Sequence, residues 1–168
     1  FEFDFSTNKN KKTFTGSHYE DKMLLETLAL EGFRDRYGPT DKVAKDRLYD
    51  ELEVIHNLQF ACYFLTTWDV VRHSLNHGYF HVGRGSGANS IVAYCLKITE
   101  VDPIELNLYF ARFLNAKRTS PPDFDIDWSW KDRDDIIDYI FKRFGREYTG
   151  FCGTVSDFKY RSTIRELG

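Results

Sequence analysis

Three aspartates at alternate positions, Asp123, Asp125 and Asp127, lie in Pro122-Asp123-Phe124-Asp125-Ile126-Asp127. On an extended strand, alternate residues point to one face with Cα atoms roughly 6.5 Å apart. Asp123 and Asp125 are therefore spaced to hold hard divalent cations jointly, Mg²⁺ above all, against substrate phosphates. Metal pairs about 3.5–4 Å apart stabilise the attacking and leaving oxygens of an in-line displacement. Asp127 lies roughly 13 Å along the strand from Asp123, too far to share one ion with it directly. The alternative is a half-exposed strand with a solvated acidic face. Asp disfavours strands, however, and unpaired like charges on one face repel.

The second constellation is Gly83-Arg84-Gly85-Ser86-Gly87, which holds three of the chain's 11 glycines in five positions. Glycines let a backbone approach closely, and a following helix N-terminus presents N–H groups and the positive end of a dipole. With Ser86 as a donor and Arg84 beside it, Gly85 and Ser86 fit a triphosphate cradle. No Gly-Lys-Ser/Thr follows, so this is not a Walker A loop; an ordinary glycine-rich turn is the competing reading. Arg112, Lys117 and Arg118 arrive just ahead of the acidic strand and could neutralise phosphate charge, although Lys117 also suits a solvated surface run. Lys159, Arg161 and Arg165 near the C-terminal end could meet a nucleic-acid backbone. His56, His73, His77 and His81 have no metal-ligand spacing, and His18 needs no role beyond its place at a helix start.

Composition bounds what these residues can belong to. The chain has 168 residues, 42% hydrophobic, with 15 Phe, 10 Tyr and 3 Trp and a formal net charge of −3. That excludes a disordered chain and is enough for one domain with its own core. The near-neutral balance argues against a wholly basic nucleic-acid coat and leaves room for a local basic groove. No apolar run approaches about 18 residues, so no membrane partner is expected. Cys62, Cys95 and Cys152 form no Cys-x-x-Cys pair and lie in apolar surroundings, which predicts free buried thiols and a cytoplasmic location. The opening at Phe1, without Met or signal peptide, suggests an excised piece of something longer.

Apolar periodicity and caps supply the elements. Phe1, Phe3 and Phe5 alternate in the pattern of a short strand. Ser17 and Glu20 read as a capping box opening a helix to about Tyr37 that buries Leu24, Leu25, Leu28 and Phe33, and Gly38-Pro39 stops it. Thr40 or Asp41 opens a second helix with Leu48, Leu52, Ile55 and Leu58 inward; a third, from about Ala61 to Asn76, carries Phe64, Trp68, Val71 and Leu75. Tyr79–Val82 reads as a short strand, and Ile91, Val92, Tyr94 and Leu96 mark a helix. Asp102-Pro103 has the form of another helix start. Asp123–Trp130 alternates as a strand expected beside the Gly83–Ser86 loop. Residues 132–144 predict a helix with Ile136, Ile137, Ile140, Phe141 and Phe144 on one stripe. A strand near Tyr148–Cys152 and a basic helix to Leu167 complete the expectation.

The ordered set of motifs resembles the C-family bacterial replicative DNA polymerases, the alpha subunits of DNA polymerase III. Arg47-Leu48, Glu51–Ile55, Tyr63-Phe64-Leu65 and Trp68-Asp69 are similar to that family's helices ahead of the loop. Gly83–Ala88 with Ser90, Val92, Ala93 and Tyr94 resembles its glycine-serine motif. Ile98-Thr99, Asp102-Pro103, Arg112–Asn115 and Arg118 lead into Pro122–Asp127 in the family's order, and Arg133-Asp134, Ile137–Tyr139 and Ile164–Gly168 follow. His81-Val82-Gly83, Asn89, Ala116-Lys117, Trp128 and Gly153–Tyr160 depart from the common pattern and leave the main replicase and an accessory translesion-type copy both open.

The resemblance implies an α+β fold: a helical N-terminal half plus a small mixed sheet of the polymerase-beta-like nucleotidyltransferase palm type. Residues 1–16 would be a linker remnant from a missing N-terminal domain, and 17–168 a partial palm domain truncated at its C-terminus. It implies that Asp123 and Asp125 bind two catalytic Mg²⁺, and that Gly85 and Ser86 contact the triphosphate. Arg84, Arg112 and Arg118 would be supporting contacts. The implied activity is DNA-directed DNA polymerisation by two-metal phosphoryl transfer, with primer-template DNA and deoxynucleoside triphosphates as partners. A sliding clamp and other replisome subunits would bind through regions outside this chain. The family's third catalytic aspartate lies beyond residue 168, so the fragment alone should be inactive. The alternatives are a non-catalytic nucleotide-binding or interaction module, and an Asp-x-Asp glycosyltransferase.

Overall fold

The structure, a computed structural model, describes residues 13–115, 117 and 123–153. Helix α1 spans His18–Tyr37, and the Ser17 hydroxyl caps it by accepting from the Glu20 N–H. Glu20 reaches back to the Gly16 N–H, closing the capping box one residue early. Its neighbour Asp21 is fully buried and accepts from the N–H groups of Phe14 and Thr15 and from the Thr15 hydroxyl. Helix α2 spans Lys42–Asn57 with Asp41 as N-cap, and α3 spans Ala61–Asn76. No helix among the described residues is long and apolar enough to cross a membrane.

Helices α1 and α2 pack on a fourth. Helix α4, Ile91–Cys95, buries Ile91, Val92, Ala93 and Cys95, because a helix apolar all round belongs in the interior. Leu25, Ala29 and Phe33 of α1, Leu48, Leu52 and Ile55 of α2, and Phe64, Leu65 and Val71 of α3 complete the core with Ile98, Phe113 and Leu114. The α1–α4 contact is backbone-close: a Cβ on Gly32 would lie 2.0 Å from the Cys95 carbonyl oxygen.

Strand β1, His81–Arg84, pairs antiparallel with β2, Asp125–Trp128, in the register Val82 with Asp127 and Arg84 with Asp125. Between them a 3-10 turn covers Gly85–Asn89. Helix α5, Arg133–Phe144, packs on α3. Mixed helices with a small sheet match the expected α+β class. Among the described residues, however, the sheet is two antiparallel strands rather than a mixed sheet.

Other expectations need correction. Asp102 does cap, its Oδ1 accepting from Ile104 and Glu105 N–H, but only a turn follows, since Asn107 takes φ +49° and leaves helical space. The Tyr148–Cys152 stretch forms no strand: Gly145 (φ +75°) turns the chain, and no partner strand is in reach among the described residues. Leu75 is 44% exposed, Cys152 is exposed rather than buried, and of the α5 stripe only Ile136 is fully buried. The strand expected at Phe1–Phe5 and the basic helix to Leu167 lie outside the described residues.

Gly32 gives a test with an unambiguous sign. In an open helix interior, Gly→Ala stabilises by roughly 0.5–1 kcal/mol. Here the new methyl meets a backbone carbonyl, so Gly32→Ala should instead destabilise by about 1–3 kcal/mol in urea unfolding. Stabilisation would contradict the close α1–α4 packing.

Candidate functional site

Strand β2 is fixed by α3 at both of its ends. The Tyr63 hydroxyl accepts from the Phe124 N–H (2.8 Å), and the Ser74 hydroxyl accepts from the Trp128 indole N–H (2.8 Å). Phe124, between Asp123 and Asp125, stacks on Tyr63 (5.2 Å, 13°) and meets Phe64 (5.2 Å) and Phe113 (4.9 Å). Burying that ring turns both flanking carboxylates to the exposed face with Asp127.

The glycine loop is held against the same ring. A Cβ on Gly87 would fall 2.7 Å from Phe124 Cδ1, and one on Gly85, whose φ is +73°, would fall 2.7 Å from Asp125 Oδ2. Glycine at both positions lets the loop close onto β2. Arg84, Gly85 and Ser86 are exposed, whereas Gly87 is buried. The segments expected to share a site therefore do meet, through the Arg84–Asp125 register.

A polar chain from α2 fixes the far side of the loop. Asn89 donates to the Ser86 carbonyl (2.9 Å), and Arg47 donates to the Asn89 carbonyl (2.9 Å) and to Glu51 (2.7 Å). Buried Glu51 also accepts from the Ser90 hydroxyl (2.8 Å), whose oxygen caps α4 at Ala93 N–H. Burial pushes the Glu51 carboxyl up to about 7, against the opposing pull of Arg47 and Ser90. Sequence reasoning missed Glu51 as a site-supporting residue. Its position, three after Leu48 and four before Ile55, places it on the apolar stripe and was the available signal. Asp69, four after Leu65, is likewise fully buried and accepts from Arg72, Tyr139 and Arg143, tying α5 to α3.

The acidic face is not a row of unpaired carboxylates. Arg84 lies on it and donates through Nε to Asp127 Oδ2 (2.7 Å), while its Nη1 stands 3.7 Å from Asp125 Oδ2. Arg112 is exposed on a 3-10 turn, Phe110–Arg112, which packs against the glycine turn and makes no ion pair among the described residues. Arg118 and the Lys159, Arg161 and Arg165 set lie outside the described residues. Among those described, no three His, Cys, Asp or Glu side chains cluster to hold a metal ion. Two exposed oxygen donors, Asp123 and Asp125, suit Mg²⁺, which typically takes one or two carboxylates and completes its shell with waters and substrate phosphates.

Glu51 makes stability depend on pH with a definite sign. Between the unfolded value of 4.5 and the folded value of about 7, the folded chain keeps a proton that the unfolded chain has lost. Stability should therefore fall as pH rises through that window, by on the order of 1–3 kcal/mol. Glu51→Gln should remove this slope when urea unfolding is compared at about pH 5 and about pH 8. A wild-type slope unchanged by the substitution would place the titration elsewhere.

Comparison with known proteins places the chain in a family. Residues 23–168 match the family model of the bacterial DNA polymerase III alpha NTPase domain. An error-prone DNA polymerase of Anaeromyxobacter sp. (strain K) is 43% identical over 147 residues, which is 86% of this chain and 13% of that protein. Error-prone DNA polymerases of Vibrio parahaemolyticus and Symbiobacterium thermophilum are 42% and 40% identical over 89% and 94% of this chain. The chain spans 13–15% of the length of these three relatives. With the family model and the relatives both covering most of its length, the chain belongs to the bacterial DNA polymerase III alpha NTPase domain family.

Proposed function

We propose that this chain is the nucleotide- and metal-binding part of a DNA-directed DNA polymerase, with a palm of the polymerase-beta-like nucleotidyltransferase type. The reaction is transfer of a deoxynucleotide from its triphosphate to a primer 3′-hydroxyl in the cytoplasm. The observation that carries the reading is the Arg84–Asp125 register, which brings the glycine-serine turn and the Asp-x-Asp strand onto one exposed surface. The names of the relatives favour an accessory, error-prone polymerase over the main replicase, and polymerisation over nucleotide-sugar transfer.

In this reading Asp123 and Asp125 hold Mg²⁺, which when bound stabilises the charge on the attacking and leaving oxygens. Gly85 and Ser86 take the triphosphate, the glycine by giving its oxygens room and the exposed serine by donating. Arg84 offsets phosphate charge from the loop side, with Arg112 and Arg118 as supporting contacts. The helices α2 and α3 do no chemistry and set positions: Tyr63 for the strand, Glu51 and Arg47 for the loop. The third aspartate, the primer-template grip and the clamp and replisome contacts belong to the rest of the polymerase, and the isolated chain is inactive.

The test is primer extension by a complete polymerase built on this domain. Asp125→Asn keeps the side chain's size and removes the charge, so extension should fall at least about 10³-fold, since this chemistry rests on positioning and electrostatics. Its melting temperature should stay near wild type, because the residue is half-exposed and its Arg84 contact is long. Ser86→Ala should act chiefly through the KM for the triphosphate. Retained extension in Asp125→Asn would refute the assignment.

A further inference from the structure

The third aspartate of the strand, Asp127, has no place in the two-carboxylate site, yet it makes the shortest contact on the acidic face. Its Oδ2 accepts from Arg84 Nε at 2.7 Å, diagonally across the β1–β2 ladder, since Arg84 stands opposite Asp125 and not opposite Asp127. The directly opposite carboxylate, Asp125, is left 3.7 Å from Arg84 Nη1, beyond hydrogen-bond length. The guanidinium is thus drawn along the strand, away from its cross-strand neighbour. Both partners are 59% exposed, so neither is held there by burial.

We propose that Asp127 is a positioning residue that anchors Arg84 through Nε, keeping its cation beyond hydrogen-bond length of the Asp125 carboxylate. An arginine has five N–H donors, and the Nε contact uses one of them. Besides Asp127, the carboxylate that pairs with Arg84 is Asp125, through Oδ2, the oxygen that also sits over Gly85. A closed Arg84–Asp125 pair would compete with a divalent cation for that oxygen. Asp127 thereby serves the metal site without touching the metal. This inference rests on the polymerase reading above and deepens it.

The test uses a complete polymerase built on this domain, with a chain-terminated primer-template and the matching triphosphate. Mn²⁺ binding is read from the electron paramagnetic resonance signal of the free ion, with melting temperatures measured in parallel. Asp127→Asn should raise the half-saturating Mn²⁺ concentration on the order of five- to tenfold, and Asp127→Glu should restore most of it. In an Arg84→Ala background, Asp127→Asn should add nothing. If Asp127→Asn weakens Mn²⁺ equally with and without Arg84, Asp127 is itself a ligand and the proposal is overturned. If Mn²⁺ binding is unchanged and only the melting temperature falls, the pair is structural and the proposal is likewise overturned. Asp125→Asn in the same assay separates the two levels: no loss of Mn²⁺ there would remove the metal-site reading itself.

Discussion

The arrangement depends on one ring. Phe124 is gripped by Tyr63, Phe64 and Phe113 and lies against Gly87. Because side chains alternate on a strand, burying this residue forces Asp123 and Asp125 outward together. Because Gly87 has no Cβ, the glycine turn descends onto the same ring, and Arg84 and Gly85 come beside Asp125. Packing thus sets where the charged and polar groups stand. The Tyr63 hydroxyl adds direction to the grip by taking the N–H between the two aspartates.

Charge is arranged in two tiers that follow from solvent exposure. At the surface, Arg84 offsets part of the acidic face through contacts that cost little to exchange, as expected of half-exposed pairs. Beneath it, Glu51 with Arg47 and Asp69 with Arg72 and Arg143 are buried carboxylates with several donors each. Buried polar groups are costly unless satisfied, so such networks fix geometry and rigidify what they touch. Glu51 holds the loop and the start of α4, whereas Asp69 holds α5. The exchangeable tier faces the site and the rigid tier supports it.

The sequence made the candidate carriers of chemistry legible and hid what connects them. Period-two alternation exposed Asp123 and Asp125, and caps at Ser17 and Asp41 located the first helices, because these signals are local. That Arg84 stands opposite Asp125 is a pairing between residues 41 positions apart, and no local pattern encodes it. Glu51 and Asp69 escaped because an apolar stripe is read by its apolar members, so a charge on it looks like an interruption. The start at Asp102 failed from the opposite cause: a good cap was present, but Asn107 leaves helical space within one turn. Tyr148–Cys152 had strand-like residues and no partner among the described ones, and an isolated strand has nothing to bond.

The central claim is that the glycine-serine turn and the Asp-x-Asp strand, locked over Phe124, are one site. It is tested most directly by anomalous diffraction from crystals of a complete polymerase of this family carrying this domain, grown with Mn²⁺, primer-template DNA and a non-hydrolysable deoxynucleoside triphosphate. The account predicts Mn²⁺ density on the carboxylates of Asp123 and Asp125, with the triphosphate running from it to Gly85 and Ser86. Density for the ion away from both aspartates, or a triphosphate bound without contact to the turn, would contradict it.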